Sequence, residues 1–171
     1  MSRIASSAFL VACLFAIAGC KKAEFQEFVS ADGHFKVLMP GKPKEQVQAT
    51  GVASMKTYMI EEKNGAYMAA FSDMPIPANE PEATLQQRLD GSRDGCLRNT
   101  NAKLKKETKI SLNGKYPGRD IEAELPDSKG LLHARIWLVK QRLYQVMVVG
   151  TQSWANSADA AKFLDSLTLT E

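Results

Sequence analysis

The sequence predicts an α+β domain in which a mainly antiparallel sheet of about six to seven strands carries two packed helices. Three observations predict it. β-prone runs follow one another through short turns at Lys63-Asn64-Gly65, "NGKYPG" and "PDSKG", and such hairpin connections make neighbouring strands antiparallel. The apolar period lengthens to that of a helix between Pro81 and Leu97, and again after Gly150. After residue 20 no second long apolar span, internal repeat or low-complexity tract appears.

The first 19 residues stand apart. Arg3 precedes an apolar run from Ile4 to Gly19, densest between Ala8 and Ala18. The run falls short of the roughly 18 apolar residues of a spanning helix and has the form of a secretory signal. It stops at Ile17-Ala18-Gly19-Cys20, with Lys21 and Lys22 behind it. That stretch resembles the lipobox of bacterial lipoproteins, in which an aliphatic and two small residues precede the cysteine that becomes the mature N-terminus. Small residues let the chain lie extended in a protease groove, and the thiol accepts a diacylglyceryl group. The expectation is a signal over 1–19, lipidation at Cys20, a tether over 20–24 and a single domain over 25–171. A plain signal peptide with a coincidental cysteine, or an uncleaved anchor, is the bland alternative. Each buried CH₂ contributes about 0.8 kcal/mol to attachment, so two or three acyl chains hold a protein essentially permanently.

Within the domain, Phe25 and Phe28 lead to a turn at Asp32-Gly33 and a strand over Phe35-Lys36-Val37-Leu38 that Pro40-Gly41 stops. "SMKTYMIEEKNGAYMAAF" reads as a hairpin closed by Asn64-Gly65, and the proline-rich "DMPIPANEP" cannot continue it. Leu85, Leu89 and Cys96 mark one face of the first helix. "KLKKETKISL" alternates toward Ile110 and Leu112, and Ile121, Ala123 and Leu125 alternate against Glu122 and Glu124. Leu132, Ala134, Ile136 and Leu138 share a strand face, and Leu143 to Val149 forms the last long strand. Ser153 or Asn156 is the expected cap of a final helix whose inner face is Ala160, Phe163, Leu164 and Leu167.

The phrases "FVSADGHFKVLMPGKP", "LNGKYPGRDI", "RIWLV…RLYQVMVVG" and "AKFLDSLTL" together resemble a group of bacterial secreted lipoproteins. Their element order is similar to the PsbP-like α/β/α sandwich shared by the extrinsic PsbP subunit of photosystem II, a Ran-binding import factor family and DcrB-type periplasmic lipoproteins. The resemblance covers nearly all of the mature chain. It implies a non-catalytic binding or accessory module, but its motifs are turn and core patterns, so no functional residue carries across.

Read for chemistry, the residues assemble no active site. His34 and His133 are the only histidines and lie far apart in sequence; neither the i, i+4 pairing nor the CxxC spacing of a zinc site occurs. No GxSxG elbow or phosphate-binding loop is present. Asp90, Ser92 and Asp94, with Gly95 and Leu97, match part of a calcium loop, but Asn101 stands where the bidentate Glu belongs and Arg93 and Arg98 add positive charge. The expectation is therefore helix end and turn, with no metal and no cofactor. Cys96, the one cysteine left beside Cys20 after signal removal, is expected as a small buried apolar residue. Lys103, Lys105, Lys106 and Lys109, with Lys115 nearby, read as a solvated strand edge that resists sheet-to-sheet pairing; facing anionic headgroups or cell-wall polymer is the alternative. Signal removal takes Arg3 and no acid, leaving a net charge of +2, too small a bias to indicate nucleic acid.

A two-residue turn at Lys140-Gln141 would pair Trp137 with Tyr144, Arg135 with Val146 and His133 with Val148. Arg135, Trp137 and Tyr144 are thus the candidate recognition surface, because Trp, Tyr and Arg dominate binding hot spots; a helix covering that face is the competing reading. The expected function is a lipid-anchored extracytoplasmic binding or accessory protein of the cell envelope. It is attached to a membrane through Cys20, and it meets another envelope protein or a small ligand. An envelope hydrolase with a carboxylate site and a structural envelope component are the alternatives.

Overall fold

The computed structural model describes residues 24–50, 53–77 and 79–170. The expectations for the signal and for lipidation at Cys20 lie outside the described residues. A hairpin of β1 (Gln26–Ser30) and β2 (Phe35–Met39) opens the domain. Then β3 (Lys44–Thr50), β4 (Ala53–Glu62) and β5 (Gly65–Asp73) form a meander. A proline-rich linker leads to α1 (Glu82–Thr100), followed by β6 (Lys103–Leu112) and β7 (Tyr116–Glu124). After a 3₁₀ turn at Pro126–Ser128 come β8 (Leu131–Val139) and β9 (Arg142–Gly150). Two short helices, α2 (Gln152–Ala155) and α3 (Ala158–Leu164), precede β10 (Thr168–Leu169).

The strands make a seven-stranded sheet, β3-β4-β5-β9-β8-β7-β6, and a three-stranded sheet, β1-β2-β10, with antiparallel pairing throughout the described residues. The α+β class and antiparallel sheet match the expectation. The small second sheet is additional, because its strands are short and β10 has only 2 residues; in the large sheet β3, with Val47 63% exposed, carries too little apolar alternation to be read from sequence.

Both faces of the large sheet are covered. On the back, Leu89 and Cys96 of α1 pack on Ile121, Ala123, Leu132, Ala134, Ile136, Leu138 and Leu143. On the front, Phe35, Val37 and Met39 of β2, with Ala160, Phe163 and Leu164, close over Tyr67, Ala69, Tyr144, Val146 and Val148. Double-sided cover explains why β8 and β9 read as nearly continuous apolar runs.

Helix α1 continues three residues past Leu97, to Thr100. It ends where Asn101 turns left-handed (φ 52°) and Ala102 N donates to Leu97 O at 2.9 Å, a backbone closure that Asn tolerates. The single final helix is corrected to two. Neither Ser153 nor Asn156 caps it; Ser157 interrupts the run, and its Oγ accepts from Ala160 N at 3.2 Å to start α3.

Candidate functional site: a cleft at the loop end

Five connections meet at one end of the sandwich: the β1–β2 turn, the β5–α1 linker, the β6–β7 turn, the β8–β9 turn and the chain after β10. They enclose two neighbouring clefts of about 540 and 510 Å³ that share Tyr116, Lys140 and Gln141 as a common wall. Ile76, Leu85, Tyr116, Pro117 and Leu138 make the apolar lining of the larger one, and Glu80, Glu82, Lys115, Lys140 and Gln141 its polar rim.

The lining is held by the backbone. Met74 N donates to Gln141 O at 2.7 Å and Gln141 Nε2 donates to Ile76 O, so the linker is stitched to the β8–β9 turn. Around the second cleft, Arg142 grips Asp73 through two hydrogen bonds of 2.6 and 2.9 Å and donates to Asp32 O at 2.8 Å. Tyr144 Oη donates to Gly33 O at 2.8 Å. The hydrogen bonds from Arg142 hold the Asp73 carboxyl below its ordinary pKa. Arg88 clamps Glu80 in the same way, at 2.6 Å to each oxygen, and lowers its pKa. The carboxylates beside the clefts at Asp73 and Glu80 are therefore already neutralised.

The two lysines of the rim are not. Among the described residues neither Lys115 nor Lys140 has a carboxylate partner; Lys115 Nζ lies 5.2 Å above the Tyr116 ring and Lys140 makes no contact of this kind. Only Lys140 is presented at a cost in backbone strain. Asn113 (φ 54°) and Gly114 (φ 65°) form the left-handed turn before Lys115, which suits Asn-Gly. Lys140 itself sits at φ 54°, where a residue with a Cβ loses about 1 kcal/mol and Asn or Gly would be expected.

The residues singled out from sequence fall elsewhere. The hairpin register is as expected: Trp137 opposite Tyr144, Arg135 opposite Val146 and His133 opposite Val148. The candidate recognition surface is nonetheless corrected, because Trp137 and Tyr144 are only 4% and 3% exposed. Phe35 stands edge-on to Tyr144 at 5.8 Å, and the Trp137 indole lies against Gly118, where a Cβ would come within 2.5 Å of it. They are packing residues of the front core. Arg135 joins β7 and β8 to the end of α3: Nε donates to Asp120 Oδ2 at 2.8 Å, and Nη1 to Leu164 O at 3.1 Å and to Asp165.

His133 Nε2 lies 2.7 Å from Asp120 Oδ1, and the two line a small cleft of about 200 Å³ with Lys106, Thr108, Ile110 and Glu122. Burial pushes the Asp120 carboxyl up, but hydrogen bonds from His133 and Arg135 outweigh it and leave the pKa below 3.8. The calcium-like stretch is helical to Thr100, and its carboxylates face arginine: Asp94 meets Arg93 at 2.8 Å and Asp90 meets Arg119 at 3.0 Å. Cys96 is buried, and burial pushes its thiol up to about 11. Lys103, Lys105, Lys106 and Lys109 are exposed on β6, an edge strand with a bulge between Leu104 and Lys106. Sequence reasoning missed the cleft because its walls come from five separate connections; the visible signal was Lys115 within "NGKYPG".

No protein-family model matches the sequence, and no curated protein matches it. Among solved structures, the chain is similar to the solution structure of cyanobacterial PsbP (CyanoP) from Synechocystis sp. PCC 6803. The TM-score is 0.62 at 12% identity, over 91% of this chain and 98% of that one. At that identity the likeness defines the fold, which is PsbP-like.

Proposed function

We propose that the chain is a lipid-anchored, extracytoplasmic binding protein without catalytic activity, whose loop-end cleft receives an acidic protein segment bearing a bulky apolar side chain. The observation that carries this reading is Lys140: a cation with no carboxylate partner among the described residues, kept in a strained backbone position, on the wall between two clefts. Strain retained at one rim residue points to a use for its side chain. The apolar lining suits the side chain, Lys115 and Lys140 suit its acidic neighbours, and two clefts flanking one ridge suit an extended segment more than a compact small molecule. The anchor and the compartment rest on the Ile17-Ala18-Gly19-Cys20 run and on the resemblance to secreted lipoproteins.

The test separates stability from recognition. Lys140→Gly should raise unfolding stability by about 1 kcal/mol by relieving the left-handed strain. It should also weaken binding of the probe acetyl-Asp-Phe-Asp-amide, followed by two-dimensional NMR, several-fold. Unchanged probe binding in Lys140→Gly and in Lys115→Glu refutes the reading, and so does cleft binding of laurate but not of the peptide. A second reading, an envelope hydrolase, draws on the Asp120–His133 pair beside Glu122; turnover of an envelope substrate that vanishes in Asp120→Asn would establish it.

A further inference from the structure

The position of the cleft relative to the tether bears on what can fill it. Phe25, where the described chain leaves the tether, is held at the other end of the domain. Its ring meets Tyr67 edge-on at 5.7 Å, and Lys162 Nζ lies 4.9 Å above it. Tyr67 is near the start of β5, next to the Lys63-Asn64-Gly65 turn, whereas the cleft begins beyond the last residue of β5, Asp73. Asp73 lies six strand steps beyond Tyr67, about 20 Å at the usual strand rise. Ile76 and Lys140 lie farther on in the same direction, past the Asp73–Arg142 pair that ends the β5–β9 ladder.

The tether is shorter than that span. From Cys20 to Phe25 is five residues, which reach at most about 17 Å when fully extended. For the cleft to press on the bilayer the domain must stand inverted, and the tether must then run back along more than the length of β5 from Tyr67 to Asp73. Its covalent length does not allow this. A domain lying on its side leaves the cleft opening sideways into water.

Resting on the lipid-anchor reading, we infer that the loop-end cleft is held away from the membrane that carries the anchor. Its occupant is met on the aqueous side, as an acidic and apolar segment of a facing protein; lipid headgroups of the anchoring membrane are excluded. The two rim lysines, without a carboxylate partner among the described residues, then act as a docking feature of the outward end, although taken alone they would also suit an anionic bilayer.

The experiment uses the lipidated full-length protein in vesicles of phosphatidylcholine and phosphatidylglycerol containing headgroup spin-labelled lipid. Fluorophores are placed one at a time at Lys63→Cys, in the turn near Phe25, and at Ser111→Cys, an exposed position of β6 opposite Pro117 at the cleft end but outside the cleft lining. Cys96 is buried with a raised thiol pKa and stays unlabelled. The expected result is flotation with the vesicles, quenching several-fold stronger at position 63 than at 111, and a response of the 111 label to acetyl-Asp-Phe-Asp-amide that is the same on vesicles as in detergent. Flotation with equal or stronger quenching at 111, or a peptide response lost on vesicles, overturns the outward orientation while leaving the anchor intact. Failure to float, with no acyl group on Cys20 by mass spectrometry, overturns the anchor reading and the inference with it.

Discussion

Replacing Arg119 by Met should destabilise the domain by about 2–3 kcal/mol, and the size follows from what the guanidinium leaves behind. Arg119 is 4% exposed between α1 and the back of β6 and β7. Its Nε lies 2.8 Å from Glu107 Oε1, an ion pair set off the hydrogen-bond direction, and its Nη2 donates to Asp90 Oδ1 at 3.0 Å. Breaking a buried pair by removing one partner costs about 3–5 kcal/mol when the remaining charge is stranded. Here Glu107 keeps Arg93 at 2.8 Å, and the Asp90 side chain is 43% exposed and can be hydrated, so the loss falls below that range. Glu107→Gln alone should cost less, and the double variant should recover at least about 1 kcal/mol relative to the sum of the singles, because the two charges leave together. Urea unfolding at neutral pH, followed by far-ultraviolet circular dichroism, gives all four corners of the cycle. A single-variant loss under about 0.5 kcal/mol, or strict additivity in the double, would show that the network does not hold α1 to the sheet.

Three further outcomes are expected. Gly91→Ala should stabilise α1 by about 0.5–1 kcal/mol, because a Cβ there meets nothing within 4 Å; a fall in melting temperature would contradict it. Since the Asp120 pKa in the fold lies below 3.8, its contribution is complete above the unfolded value and is lost as pH falls through the lower folded value. Urea midpoints between about pH 2 and pH 6 should therefore decline less steeply in Asp120→Asn than in the parent, and parallel curves would refute the assignment. Cys20→Ser should abolish palmitate incorporation and leave the precursor unprocessed or the protein detached; unchanged labelling in a metabolic chase would rule out the anchor at that thiol.

How much of this was legible in the sequence depended on whether one segment or several carried the information. The β8–β9 register follows from alternation and a two-residue turn, so the Trp137–Tyr144 pairing could be read directly. What covers that face could not, because β2 and α3 arrive from distant parts of the chain. Trp137 and Arg135 share a strand face, yet one is core and the other spans to Asp165; residue type alone does not separate these fates. The buried Arg119 was hidden for a similar reason. "GRDI" and "KETK" look like solvated turn and edge, and only the register of Lys109 opposite Arg119, with Glu107 opposite Ile121, sets Glu107 and Arg119 under α1.

Arginine makes most of the buried and half-buried ion pairs of this domain, with Lys56 between Asp32 and Glu45 beside it, whereas the cleft rim carries lysine, and the difference bears on recognition. Arg88, Arg93, Arg119, Arg135 and Arg142 each hold a carboxylate that lies outside their own helix or strand. A planar guanidinium suits that use, because it keeps its charge when buried and offers donors in a fixed fork. The cleft rim carries lysine instead, a flexible point charge that is well hydrated when unoccupied. On the proposed reading a ligand there would meet two flexible cations around an apolar lining, so shape selection would fall to Ile76, Leu85, Tyr116 and Leu138, and the lysines would add attraction that about 0.1 M salt screens beyond about 10 Å. Raising ionic strength should then weaken occupancy of the cleft while the arginine-held framework, buried or half-buried, keeps its stability.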